Sequence, residues 1–256
     1  MEPIKLKHLK NFRDLGGIET SDGRHIKKHM LIRGKALRKL TFLDVYKLKF
    51  IYNLKTIIDL RCDKEIKESP DDIIDGVTYL KMPITDESML GISHEKRIHS
   101  LKSLYEMPVM TDLYENLVSD KCLDNVIAVL KKILFLPENE LSVVFHCSAG
   151  KDRTGIISAL ILSFLGVPTQ TITEEYMYSN KINRVKAFFV YWGLMLLKGK
   201  PSFAKRIQLS LLAKKQFLDS SFNKLKKEFG DMENFFTQTL NLSPEEKIEI
   251  QNKFLE

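Results

Sequence analysis

The segment from Val143 to Gly166 constrains the fold of this chain more than any other. It opens with Val-Val-Phe-His-Cys, a short run of β-branched and aromatic residues, and continues with small and charged residues. From Ile156 onward the residues are almost all apolar until Gly166 and the Val-Pro that follows it. This succession predicts a strand, a short loop and a helix, so the loop lies at the N-terminus of a helix.

A loop in this position is suited to binding an anion. The first turn of a helix leaves backbone N–H groups unpaired at the positive end of the helix dipole. Five residues separate Cys147 from Arg153. That spacing lets successive N–H groups converge on a tetrahedral oxyanion while the guanidinium binds two of its oxygens. The same positive surroundings favour the thiolate form of Cys147, which would act as a nucleophile near neutral pH.

The run His-Cys-Ser-Ala-Gly-Lys-Asp-Arg-Thr-Gly at residues 146–155 resembles the phosphate-binding loop of cysteine-dependent protein tyrosine phosphatases. It is similar to the bacterial branch of tyrosine/serine and lipid phosphatases, in which Lys and Asp precede the Arg. A second stretch, Asn-Phe-Arg-Asp-Leu-Gly-Gly from Asn11 to Gly17, resembles the N-terminal signature of the same family about 130 residues earlier. The resemblance runs from Asn11 to about Leu255. The alternative for Cys147 is a buried structural cysteine in a strand-to-helix turn.

The resemblance implies a role for each residue of the loop. Cys147 is the expected nucleophile, and Arg153 binds the phosphoryl group and stabilises its charge in the transition state. The remaining phosphate-binding positions are Ser148, Ala149, Gly150, Lys151 and Asp152. His146 is expected to tune the thiolate, and Thr154 to hydrogen-bond the sulfur. Lys151 either faces a second phosphate, as on a phosphoinositide, or points outward into solvent.

Hydrolysis of a phosphomonoester also needs a proton donor for the leaving oxygen, on the side of the phosphate opposite the attacking sulfur. Asp86 lies just beyond a predicted strand, Val77 to Pro83, and by the resemblance falls where the general acid is found. Asp152, immediately before the arginine, is the alternative, and it could instead orient Arg153. Both aspartates remain candidates for the acid.

Two charged pairs near other predicted strands are expected to support the site. Arg13 and Asp14, within the N-terminal signature, either reach the active site or brace the loop through an ion pair. Asp59 and Arg61 end an apolar strand of the parallel type, at the edge of an α/β sheet where sites form. They are either a structural ion pair or part of the catalytic machinery, and with Glu65 they match the family's Asp-Leu-Arg-x-x-x-Glu stretch.

Length and composition indicate an ordinary folded protein. The 256 residues suit a single α/β phosphatase domain, residues 1–256, with 44% apolar and 29% charged residues. We expect a phosphotyrosine-phosphatase-like fold, in which a central mostly parallel sheet is flanked by helices on both faces, with a helical C-terminal part. The apolar run Ala187–Leu197 is too short to span a bilayer. It is a core helix, a membrane-touching helix, or part of a helical lid over about residues 183–212, as some relatives carry.

Composition also narrows the expected partners. Three cysteines show no zinc-binding spacing, and the implied mechanism needs neither a metal nor a cofactor. The net charge of +7 is spread along the chain, which favours a phosphorylated protein or phosphoinositide substrate over nucleic acid. Membrane contact is the less favoured alternative, and the oligomeric state is not determined. The N-terminus lacks an apolar signal segment, so a cytoplasmic location is expected, with secretion by a non-classical route left open.

Two functions of other classes compete with phosphatase activity. An inactive phosphate-binding module would use the same loop to recognise phosphopeptides, although such a relative usually lacks the cysteine, the arginine or the acid. A thiol redox enzyme, such as an arsenate reductase, would need a resolving cysteine. No second cysteine lies near Cys147 in the sequence, and Cys62, at a predicted strand end, is the candidate.

Overall fold

A six-stranded mixed sheet runs through the part of the chain described by the computed structural model, residues 1–86 and 109–256. The strands are β1 (Glu2–Pro3), β2 (Arg13–Asp14), β3 (Leu31–Lys35), β4 (Thr56–Asp59), β5 (Thr78–Lys81) and β6 (Val143–Cys147). Their order across the sheet is β1-β2-β3-β6-β4-β5. The pairs β3–β6, β6–β4 and β4–β5 are parallel, and β2 and β1 extend one edge antiparallel. The predicted α/β class with a mostly parallel sheet is confirmed.

The described helices are α1 (Phe42–Tyr46), α2 (Asp63–Glu68), α3 (Met110–Asn116), α4 (Asp120–Leu134), α5 (Arg153–Phe164), α6 (Thr169–Met177), α7 (Asn180–Lys198), α8 (Pro201–Leu211), α9 (Lys215–Phe229), α10 (Met232–Leu240) and α11 (Pro244–Phe254). A π-helical turn, Lys47–Ile51, continues α1. The helix α6 begins at Thr169, directly after Pro168, whose fixed φ suits a helix start.

Alternating side chains of the central strands enter two hydrophobic cores, as the two-residue period of a strand requires. The larger core, which α4, α5 and α9 to α11 cover, receives Leu31, Ile58, Val143 and Phe145. The smaller core, which the N-terminal segment and the π-helical turn cover, receives Ile32, Ile57 and Val144. β6 is therefore buried on both faces, and its C-terminal end is held between β3 and β4.

α7 and α8 form a hairpin that is only lightly attached to the rest of the fold. Gly199 joins them in the left-handed conformation, with a φ of 60°. The facing side chains make a small cluster separate from both cores, namely Val190, Leu194, Phe203 and Ile207. At the base, the Asn180 amide donates to the Ala213 carbonyl and its oxygen accepts from the Ala213 N–H, at 2.7 and 2.8 Å.

This hairpin occupies the range for which the sequence left three interpretations open. Ala187 is the one buried residue among the apolar residues of α7, and half of them are exposed, so the core-helix interpretation of Ala187–Leu197 is wrong. The tight turn at Gly199 divides the segment into two helices that pack mainly on each other. Among the described helices, none is both long enough and apolar enough to cross a membrane.

A buried carboxylate connects the N-terminal strands to the helical layer. Glu175 on α6 accepts hydrogen bonds from Arg13 and Arg33, each at 2.6 Å, and all three side chains are buried. Burial opposes ionisation of Glu175, but the two guanidinium groups outweigh it and lower its pKa overall. Burial and the neighbouring Arg33 lower the pKa of Arg13 to about 10, so Arg13 stays charged at neutral pH. We call these three residues the arginine–glutamate triad.

We predict that Glu175→Ala lowers the free energy of unfolding by about 3–5 kcal/mol, because it leaves two buried guanidinium groups without a counter-charge. Glu174→Ala is the matched control, since Glu174 is the exposed neighbour on the same helix. We expect this variant to change the free energy of unfolding by less than about 0.5 kcal/mol. Urea denaturation of both variants measures the difference. Equal costs for the two would show that the triad does not stabilise the fold.

Candidate active site

Residues 147–153, here called the catalytic loop, connect the end of β6 to the start of α5. Cys147 is the last residue of β6 and is 2% exposed, while Arg153 is the first residue of α5. β6 pairs with β3 and β4 in parallel, so three strand ends surround the cysteine. The predicted nucleophile and the predicted phosphate-binding arginine therefore lie at the two ends of one short loop.

Three contacts fix the backbone of the catalytic loop from outside. Asn11 donates its amide to the carbonyls of Ala149 and Gly150, at 3.1 and 3.0 Å, and Arg33 donates to the Gly150 carbonyl at 3.0 Å. Gly150 has a φ of 67°, and a Cβ at this position would collide with the backbone of Gly34 on β3. Carbonyls held in this way turn outward, as convergence of the N–H groups on an anion requires.

Glu65 holds the guanidinium of Arg153. Its two carboxylate oxygens accept from Nη1 and Nη2 at 2.6 and 2.7 Å, and the Ser148 hydroxyl donates to the same carboxylate at 2.7 Å. Burial alone would raise the pKa of Glu65, but these bonds and the charge of Arg153 lower it to about 2. Burial opposes the charge of Arg153 as well, and Glu65 and the adjacent Cys147 raise its pKa overall. The sequence matches Glu65 to a family stretch but does not reveal that Glu65 binds Arg153.

Lys151 is buried, and the alternative of an outward, solvated side chain is wrong. Its Nζ donates to Asp152 Oδ1 at 2.6 Å and lies 3.4 Å from the Leu212 carbonyl, in the segment that follows α8. The chain after the hairpin therefore returns directly onto the catalytic loop. The long distance to Leu212 makes that hydrogen bond the weaker of the two.

Asp152 is bound by two donors and is half-buried. Tyr114 donates to the same oxygen as Lys151, also at 2.6 Å, and the Tyr114 hydroxyl lies 2.6 Å from that of Tyr176. Burial and the negative charge of Asp152 raise the pKa of both phenols, so they stay protonated and can donate. Two donors on one oxygen favour the carboxylate over the acid. Neither tyrosine was singled out from the sequence.

Asp86 lies at the exposed side of the site. The residue before it, Thr85, is buried, and its hydroxyl is 3.4 Å from Nη1 of Arg153. The Ile84 carbonyl accepts a hydrogen bond from Asn125 on α4 at 3.1 Å, which anchors the chain after β5. Burial raises the pKa of Cys122 on α4, and the negative charge of Asp86 raises it further.

Asp59 and Arg61 form a buried ion pair beside His146. Arg61 donates to both oxygens of Asp59 and also pairs with Asp71 at 2.9 Å. Burial opposes the charge of Asp59, but the hydrogen bonds from Arg61 lower its pKa overall. Nε2 of His146 lies 2.9 Å from Asp71, out of line for a hydrogen bond. Nδ1 of His146 lies 3.3 Å from the Cys147 carbonyl oxygen, and the ion pair fixes the strand end beside it.

The same cluster has the spacing of a metal site. One ligand atom each from Asp59, Asp71 and His146 lies within 4.8 Å of the others. Arg61 pairs with both carboxylates, and contacts both oxygens of Asp59 and Oδ1 of Asp71. An internal ion-pair network explains these residues better than a cation does, because a cation would have to displace a buried guanidinium.

The remaining supporting residues differ in their placement. Arg13 belongs to the arginine–glutamate triad and donates to the side chain of Asn11 at 2.7 Å, so it acts on the loop through that amide. Asp14 accepts the N–H groups of Gly16 and His29 at 2.9 and 2.7 Å, which orders the turn beside β2. Thr154 is buried, and its hydroxyl makes no hydrogen bond to any described residue. The predicted bond from Thr154 to the Cys147 sulfur is therefore not present in this structure.

All three cysteines, Cys62, Cys122 and Cys147, are free and buried. Burial raises the pKa of Cys62, which also lies at the start of α2, where Glu65 accepts its N–H at 3.2 Å. A thiol with a raised pKa is a poor resolving nucleophile. This environment weighs against a thiol redox enzyme.

Comparison with known proteins gives consistent matches. A profile described as the tyrosine phosphatase family matches residues 4–256. A provisionally named tyrosine-protein phosphatase of Cupriavidus necator is 25% identical over 91% of this chain and 82% of its own length. The triple specificity protein phosphatase PtpB of Mycobacterium tuberculosis is 26% identical over 66% of each chain. The solved core catalytic domain of the PP-IP phosphatase SIW14 from S. cerevisiae aligns with a TM-score of 0.38 and 16% identity, over 68% of this chain and 78% of that one.

The contact between Glu65 and Arg153 predicts a specific dependence of stability on pH. The folded-state pKa of Glu65 is about 2, below its usual 4.5, so the carboxylate stabilises the fold above pH 4.5 and loses this effect as pH falls toward 2. The shift corresponds to about 3 kcal/mol. We expect the difference in unfolding free energy between wild type and Glu65→Gln to shrink by about that amount over this interval.

Chemical denaturation at a series of pH values measures this difference. Glu68→Gln is the control, because Glu68 lies exposed on the same helix, and its curve should parallel that of wild type. A constant difference between wild type and Glu65→Gln across the acidic range would contradict the prediction.

Proposed function

The chain belongs to the tyrosine phosphatase family, and on this premise we propose that it hydrolyses phosphomonoesters, phosphotyrosine first among them, through a phosphocysteine intermediate. One observation carries the proposal. Glu65 holds Arg153 by two hydrogen bonds at the end of the same short loop whose other end is Cys147. An arginine fixed in this way presents its remaining donors to an oxyanion without reorganisation during the reaction, which is how charge in a transition state is best stabilised.

In the first step, the Cys147 sulfur attacks phosphorus and the bond from phosphorus to the ester oxygen breaks. The N–H groups of the catalytic loop and Arg153 bind the three non-bridging oxygens, whose charge they stabilise. Asp86 gives its proton to the leaving oxygen, so the alcohol departs neutral and the aspartate is left ionised.

In the second step, water attacks the phosphocysteine and the bond from phosphorus to sulfur breaks. The ionised Asp86 takes a proton from the attacking water, which returns the acid to its starting state. Inorganic phosphate leaves and Cys147 is again a thiolate. The scheme draws all its protons and electron pairs from the substrate, water and side chains, so it uses neither a metal nor a cofactor.

The contacts of Asp152 support assigning the proton donor to Asp86. Lys151 and Tyr114 both donate to Asp152, and this favours its carboxylate form, which has no proton to give. Asp86 is exposed and directly follows Thr85, whose hydroxyl contacts Arg153. In this assignment Asp152 is a positioning residue that orients Lys151 and the start of α5.

The range of substrates is part of the proposal. The Mycobacterium tuberculosis relative is named a triple specificity protein phosphatase, which supports testing phosphoserine and phosphoinositide beside phosphotyrosine. Lys151 could serve a second phosphate only after exchanging its weak contact with the Leu212 carbonyl. Substrates with two phosphates would then need the chain after the hairpin to move.

We predict that Cys147→Ser lowers hydrolysis of p-nitrophenyl phosphate and of a phosphotyrosine peptide by at least about 1,000-fold, because a serine hydroxyl is a far weaker nucleophile here. Wild-type activity should persist in EDTA. Mass spectrometry of acid-quenched wild type should find a phosphoryl group on Cys147. The variant should still bind phosphate, since the loop N–H groups and Arg153 remain.

Full activity of Cys147→Ser would exclude the covalent mechanism. A freshly reduced wild type that binds phosphate and hydrolyses none of these substrates would assign the chain to the alternative function, a phosphate-binding module.

Leaving-group dependence distinguishes the two candidate acids. We predict that Asp86→Asn lowers kcat for phosphotyrosine by about 100-fold or more. The same variant should lower kcat for p-nitrophenyl phosphate far less, because the nitrophenolate leaving group departs without a proton. Asp152→Asn should lower kcat for both substrates by a similar factor, as expected when Lys151 and the start of α5 lose their positioning. The reverse pattern, with leaving-group dependence in Asp152→Asn only, would make Asp152 the acid.

A further inference from the structure

The outer face of α7 carries an exposed apolar stripe. Its members recur at intervals of three or four residues, so they share one side of the helix. They are 50% to 86% exposed and consist of Val185, Phe188, Phe189, Trp192 and Leu196. The opposite side of α7 packs against α8 through Val190 and Leu194. Apolar side chains clustered in this way on a surface mark an interaction site.

The charge around the stripe has one sign. Residues 176–218, which contain the whole hairpin, carry nine of the chain's 40 Lys and Arg residues and none of its 33 Asp and Glu residues. Arg184 and Lys186 are exposed on either side of Val185, and Lys181 is exposed one turn earlier. A helix with aromatic side chains on one face, in a hairpin whose own charged residues are all cationic, suits an anionic lipid surface.

This charge also decides between possible occupants of the stripe. Two copies of the chain meeting through it would bring two acid-free cationic surfaces together, and their repulsion opposes association. An anionic bilayer supplies both the apolar layer for the aromatic rings and the negative charge for the flanking cations.

We propose that the outer face of α7 docks on membranes that contain anionic lipids. Phe188, Phe189 and Trp192 would enter the boundary between headgroups and acyl chains, and Arg184 and Lys186 would bind headgroups beside them. The segment after α8 contacts the catalytic loop through Leu212 and Lys151, so the docked hairpin is joined directly to that loop. The proposal concerns binding alone and does not rest on the proposed hydrolysis.

The chain contains its own reporter for this binding. Trp192 is its only tryptophan, and it lies in the middle of the stripe. Phosphatidylcholine vesicles containing about one third phosphatidylserine should shift its emission to shorter wavelength, and brominated acyl chains should quench it. The protein should sediment with these vesicles, release them as salt increases, and bind pure phosphatidylcholine more weakly.

Matched variants separate the apolar and the electrostatic contributions. Phe189→Ser and, separately, the pair Arg184→Gln with Lys186→Gln should each weaken binding to the anionic vesicles about tenfold or more. Phe42→Ser is the control, because Phe42 is also an exposed aromatic residue but lies on α1, outside the stripe, and this variant should bind as wild type does. Circular dichroism and thermal unfolding show whether each variant remains folded.

Three outcomes would overturn the proposal. The first is the absence of both an emission shift and co-sedimentation with anionic vesicles. The second is equal binding by folded Phe189→Ser and Phe42→Ser. The third is a lipid-free dimer in analytical ultracentrifugation that Phe189→Ser abolishes, which would assign the stripe to a second copy of the chain. None of these readouts uses catalysis, so a failed phosphatase assay leaves the test intact.

Discussion

Glu175 neutralises two buried arginines, and the shape of the catalytic loop depends on this neutralisation. Arg33 uses one end of its guanidinium for Glu175 and the other for the Gly150 carbonyl, while Arg13 orients Asn11 onto the same carbonyl. The loop is therefore held from outside by groups that come from β2, β3 and α6. A phosphate-binding loop has to exist in its binding geometry before the anion arrives, and buried donors at fixed distances provide that geometry.

The two ends of the loop are controlled by different carboxylates. Glu65 binds Arg153 on both oxygens, which leaves that guanidinium buried, charged and fixed. Asp152 instead binds Lys151, whose other contact, with Leu212, is long and belongs to the chain after the hairpin. The arginine that every phosphomonoester would need is thus locked, whereas the lysine that a second phosphate would need has a contact it can give up.

The sequence predicted the strand, loop and helix around residues 143–166 and the mostly parallel sheet, because both follow from local patterns of apolar residues. It could not predict which carboxylate meets which arginine, since those partners lie far apart in the chain and meet only through the sheet. Glu65 was matched to a family stretch, yet its role depends on Arg153, and the role of Glu175 depends on Arg13 and Arg33. An arginine inside an otherwise apolar strand, as Arg33 is, was a usable signal of a buried counter-charge.

The apolar run of α7 shows a different limit of sequence reasoning. Composition alone could not distinguish a core helix from an exposed one, because the same residues suit both, and only the packing on α8 shows which face is inward. The missing acids are the more informative feature. A lid that had only to cover a phosphate site would gain from cations near the loop, but it would not need aromatic residues on its outer face. The aromatic residues face outward and the segment around them contains no acidic residue. Together these two features indicate that α7 binds a surface outside this chain.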